Sequence, residues 1–148
     1  MLLPLLALLA TVPASPGAAA TAAAPATTLT IDLDRALVRG FNRDGFIVSG
    51  VYPATLRGDR LRLPDGDARG GLFLHAGMHR LTLDRFALRD GGRALRARVG
   101  TRSVVLARGS TSRFTLTRAG AHALRAQLHT ARPVAGAPLG RVSATRPR

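Results

Sequence analysis

The chain has 148 residues, enough for one domain, and no cysteine, so neither a disulfide framework nor thiolate chemistry is open to it. Its charge is one-sided: 22 arginines without lysine stand against eight aspartates without glutamate, for a net charge of +14. GC-rich codon usage explains arginine in place of lysine but not the shortage of acids, so a cationic surface that attracts polyanions is expected.

Residues 2–10 form an apolar run of the length of a signal-peptide core, too short to span a bilayer, although no Arg or Lys precedes it. Ala18-Ala19-Ala20 offers a cleavage site and Ala22-Ala23-Ala24 a second. Residues 1–20 therefore read as a signal peptide, 21–27 as a linker, 28–145 as a single β-rich domain and 146–148 as a tail, with fraying expected from Ser143. No later run is long enough for a transmembrane segment. The expected location is secreted or extracytoplasmic, with the cell wall as one destination.

The ends of the domain resemble each other. Thr28–Leu33 reads as a strand, Asp34–Asn42 as a short helix and Gly45–Val51 as a strand; Arg113–Thr117, Arg118–His129 and Leu139–Thr145 repeat that order. Asp34 and Thr117 are placed to cap the two helices, and Ala121, Leu124 and Leu128 share one helical face. Between the ends, apolar and polar residues alternate with period two, broken by glycine turns.

Each turn implies a register. Gly58-Asp59 pairs Leu56 with Leu61 and Ala54 with Leu63. Gly91-Gly92 pairs Leu88 with Leu95 and Phe86 with Ala97. Gly100-Thr101 pairs Ala97 with Val104, Leu95 with Leu106 and Arg93 with Arg108. Leu81 and Leu83 are out of phase with Phe86 and Leu88, which predicts a β-bulge at Asp84-Arg85. Ala76-Gly77-Met78 reads as a three-residue loop. The middle is then a four-strand meander over 71–75, 79–89, 93–99 and 102–108. The fold class is mainly β: an antiparallel, meander or sandwich-like sheet with two short helices in terminal β-α-β pseudo-repeats.

Enzymatic signatures are absent: there is no G-x-S-x-G, no phosphate-cradling glycine loop and no strong metal motif. Asp32 with Asp34, and Asp65 with Asp67, read as turn acids and a helix cap before they read as catalytic pairs. The three-residue loop sets His75 opposite His79, a spacing at which two imidazoles flank a flat ligand but fall short of a zinc site. His122 and His129 read as surface residues. Tyr52, the single tyrosine, sits at a corner before Pro53, as a candidate ligand or a buried ring. Arg57, Arg60, Arg62, Arg96 and Arg98 point outward in these registers and form the candidate polyanion face. Aromatic interleaving is missing, which disfavours sequence-specific nucleic-acid binding.

Gly70-Gly71-Leu72, Leu81-Thr82-Leu83 with Phe86, Leu95-Arg96-Ala97-Arg98-Val99, Phe114 to Leu124 and Gly136-Ala137-Pro138-Leu139-Gly140 carry a likeness across most of residues 28–145. Over these stretches the chain resembles HtaA-type domains, secreted actinobacterial-type β proteins of haem uptake. The resemblance implies an extracellular, non-enzymatic β fold. It also brings haem binding by a tyrosine supported by a histidine, here Tyr52 with His75 or His79. The reading that follows is a secreted, non-enzymatic cell-envelope module with a cationic sheet face for an anionic wall polymer or lipid surface and no cofactor. A haem-binding domain is the first alternative and a small hydrolase the second.

Overall fold

The computed structural model describes residues 27–64, 70–110 and 112–146; the expected signal peptide, Asp65, Asp67 and the last two residues of the expected tail lie outside the described residues. Ten strands and two helices follow in chain order: β1 (Thr28–Leu33), α1 (Arg35–Arg43), β2 (Ile47–Val51), β3 (Thr55–Arg57), β4 (Arg60–Leu63), β5 (Gly71–Ala76), β6 (His79–Arg89), β7 (Ala94–Val99), β8 (Arg102–Ser110), β9 (Arg113–Leu116), α2 (Arg118–Leu128) and β10 (Pro138–Thr145). All strands join one antiparallel sheet in the order β2-β5-β6-β7-β8-β9-β10-β1-β4-β3. The sheet curls into a nearly closed barrel. Its outer strands β2 and β3 meet so closely that a Cβ on Gly50 would lie 2.9 Å from the Leu56 nitrogen.

The alternation of the sequence lines the inside. Leu29, Ile31, Leu61, Leu63, Leu72, Leu74, Leu81, Leu83, Leu95, Ala97 and Val99 are all buried, and the buried set holds no polar or charged side chain among the described residues. Burying such side chains is worth about 1.5–3 kcal/mol each relative to exposure. Strand direction alternates around the sheet, so α1, which joins β1 to β2, and α2, which joins β9 to β10, lie at the same end of the barrel. Phe41 of α1 and Ala121, Leu124 and Leu128 of α2 turn into the core there.

Both helices are capped as their sequences direct. Asp34 accepts from Ala36 N at 2.8 Å and Leu37 N at 3.4 Å. Thr117 accepts from Gly120 N at 2.9 Å and donates to the Val105 carbonyl. The bulge forms where the phase change placed it: Arg85 has φ 52° and the register shifts between Asp84 and Ala87.

Several expectations are corrected. The β6–β7 connection is not a two-residue turn but spans 90–93, so Leu88 pairs with Leu95 as expected while Phe86 falls inside the bulge and has no partner in Ala97. A second bulge moves β8 by one residue, setting Leu95 against Ala107 and Arg108 against Ala94, not Leu106 and Arg93. Leu56 pairs with Leu61, but Ala54 lies before β3 begins. Ser143 to Thr145 are not frayed: they pair with β1, Thr145 opposite Thr28. The two β-α-β units are not equivalent in space, because β9 and β10 are neighbours whereas β4 and β3 separate β1 from β2.

Candidate functional site

The five arginines named above do point outward, but they do not share a face. Arg57, Arg60 and Arg62 lie on β3 and β4, and Arg96 and Arg98 on β7. The order β7-β8-β9-β10-β1-β4 puts five strand steps between these groups, half the circumference of a ten-stranded barrel. The single arginine face is therefore two opposite walls, because the sheet closes.

On the β3-β4-β1-β10 wall the register assembles a row. Arg57 faces Arg60, Arg60 faces Asp32, and Asp32 faces Arg141. The next outward row is Thr55, Arg62, Thr30 and Ser143. Arg60 grips Asp32 in a fork, Nε to Oδ1 at 2.6 Å and Nη2 to Oδ2 at 3.4 Å. Among the described residues Arg57, Arg62 and Arg141 have no carboxylate partner. Like charges directly opposite across a strand pair are destabilising. Arg57 against Arg60 is such a pair, and among the described residues Asp32 relieves it by its fork with Arg60. Arg141, at the far end of the row, was beyond the reach of sequence reading, because β10 meets β1 over more than a hundred residues of chain and no turn announces it.

On the opposite wall Arg98 is tied to Asp84, Nε to Oδ1 at 2.8 Å and Nη2 to Oδ2 at 2.6 Å. The hydrogen bonds that Arg98 donates to Asp84, and after them the carboxylate charge, hold the Arg98 guanidinium above the usual arginine range; Asp32 does the same to Arg60. Stability from a raised base is present below its unfolded-state value and lost only as pH rises through the folded one, so both effects sit in strong alkali. Arg96 is exposed between Ala87 and Val105, and Arg108 reaches Asp90 at 3.7 Å.

The histidine pair does not form. Gly77, at φ 57°, opens a two-residue turn with Met78, so Ala76 pairs with His79 and His75 with Arg80. One residue of register sends the two rings to opposite faces of the sheet. His75 instead stacks on Phe73, with centroids 5.2 Å apart, and His79 lies against His129, with centroids at 5.3 Å. Gly58-Asp59, Gly77-Met78 and Gly100-Thr101 share one pattern, glycine at positive φ followed by another residue, and that pattern was the signal for the true turn.

Tyr52 is 90% exposed, at the end of the barrel away from the helices. Val51 pairs with Gly71 and Ile47 with His75, so His75 lies four residues up the sheet from Tyr52's neighbour. That is about 13 Å along the strand. Tyr52 and His75 therefore stand at different heights of the barrel, and His79 is further still.

No three His, Cys, Asp or Glu side chains gather to hold a metal ion among the described residues, and no described helix is long and apolar enough to cross a membrane. Asp32 and Asp34, the paired carboxylates of the sequence, are committed to Arg60 and to the α1 cap. Compared with family models, curated proteins and solved structures, the chain matches none.

Proposed function

We propose that this protein is an extracytoplasmic, non-enzymatic binding module of the cell envelope that holds an extended polyanion on its β3-β4-β1-β10 wall. The supporting observation is the row Arg57, Arg60, Asp32, Arg141 with Arg62 beside it: four guanidiniums on β3, β4 and β10, with the Asp32 carboxylate of β1 between them as the one acid of the row among the described residues. Guanidinium forks match phosphate and carboxylate oxygens, and the neighbouring Thr55, Thr30 and Ser143 hydroxyls add donors without selecting a base. No tyrosine or tryptophan interrupts these rows, so bases have nothing to stack on. The apolar leader with its small-residue cleavage sites supports export.

Titration of the protein with linear polyphosphate across a sodium chloride series tests this. Affinity should fall linearly in log–log form as salt rises. Replacing Arg57, Arg62 and Arg141 together by Gln should weaken binding and flatten the slope by about 2–3, roughly one unit per lost phosphate contact. The charge-matched triple Arg85→Gln, Arg96→Gln, Arg102→Gln should leave most of the slope. Equal effects of the two triples, or no binding by the parent, would remove the wall as the site.

A further inference from the structure

We propose that the groove between α1 and the 130–137 segment binds a small amphiphilic anion, an apolar chain or ring system carrying one carboxylate or sulfonate head. The groove holds about 410 Å³, the size of a small-molecule site. Its floor is apolar, with Ala36, Leu37 and Gly40 of α1 facing Pro133, Val134 and Pro138. Arg39, Arg43 and Arg132 also line it. Of the two carboxylates beside them, Asp34 is already accepting from Ala36 N and Leu37 N, which leaves Asp44 against three guanidiniums. An apolar floor with a cationic lining suits a ligand whose two ends differ in the same way.

Both sides of the groove are preformed. Arg125 Nη1 donates to the Pro133 carbonyl at 2.9 Å, Gly136 N to the Leu116 carbonyl at 2.8 Å and Leu116 N to the Ala137 carbonyl at 2.8 Å. On the other side the Asp34 cap fixes α1, and Asp34 N donates to the Leu139 carbonyl at 2.8 Å. Val134 remains 54% exposed at this site, an apolar side chain held in water.

Gly40 is a second, independent observation. It sits inside α1, where glycine is the least favourable residue after proline. A Cβ there would meet nothing within 4 Å, and its φ is not positive. Neither crowding nor backbone conformation calls for glycine; its missing side chain keeps the groove open.

Fluorescence titration of the full chain with 8-anilinonaphthalene-1-sulfonate, followed by displacement with dodecanoate, tests the proposal. The parent should bind the probe and release it to dodecanoate more readily than to dodecanol. Gly40→Leu fills the groove, and should weaken both anions about tenfold or more while the thermal midpoint holds or rises. Arg39→Gln with Arg132→Gln should weaken dodecanoate several-fold and leave dodecanol unchanged. The wall triple Arg57→Gln, Arg62→Gln, Arg141→Gln should change none of this, which separates the groove from the polyanion wall. No probe binding by the parent, parent-like binding by Gly40→Leu, or equal competition by dodecanol and dodecanoate would each overturn it.

Discussion

Two glycines inside helices show how little residue identity says without its surroundings. A Cβ on Gly40 meets open space, whereas one on Gly120 would lie 2.3 Å from the Leu106 carbonyl oxygen. Helix propensity favours alanine at both positions by about 1 kcal/mol. At Gly40 nothing opposes that gain, so Gly40→Ala should stabilise the protein by about 0.5–1 kcal/mol. At Gly120 the clash with backbone outweighs it, and Gly120→Ala should cost about 1–3 kcal/mol. Urea midpoints at constant m-value separate the two signs, and a shared sign would refute the contact argument. The caps, by contrast, were legible residue by residue. Asp34 and Thr117 each stand just before a helical pattern, and a cap is a contact within three residues.

At the scale of the element, the β6 bulge is the clearest instance of a local rule being forced by packing. Leu81, Leu83, Phe86 and Leu88 cannot all face inward on a regular strand, and Arg85 at φ 52° supplies the extra residue that lets them. Arginine is strained at that φ, so Arg85→Gly should be neutral or stabilise by up to about 1 kcal/mol. Deleting Arg85 restores unbroken alternation from Leu81 to Leu88, so the deletion variant should still unfold cooperatively with Phe86 inward. A deletion variant that loses its cooperative urea transition would show that the bulge does more than correct the phase. The phase change made this bulge visible in sequence. The bulge at Leu106 was not, since Val104 to Ala107 is apolar throughout and offers no parity to break. The three-residue loop at Ala76 failed for a related reason: alternation fits either loop length, and only the backbone of Gly77 decides.

For the whole molecule the balance lies between self-repulsion and ion pairing. The net charge is +14, and of the ion pairs of the described residues Arg35–Asp59, Arg60–Asp32 and Arg108–Asp90 keep at least one partner well exposed, while Arg98–Asp84 is half-buried. Exposed pairs are worth about 0–1 kcal/mol each, while unpaired arginines repel over a Debye length of about 30 Å at 10 mM salt. Raising sodium chloride from 10 to 150 mM should therefore raise the thermal midpoint. A fall would show that the ion pairs dominate. The sequence by itself determined the strand and helix positions, the caps, the inward residues and the hairpin partners next to Gly58 and Gly100, because all of these follow from periodicity and from contacts across a few residues. Only the tertiary structure decided the closure of the sheet, the pairing of β10 with β1 and of β1 with β4, the parting of the arginines onto opposite walls and the groove beside α1. Period-two alternation states which side of a sheet a residue faces. It carries no information on how far that sheet curls or which distant strand lies next to it.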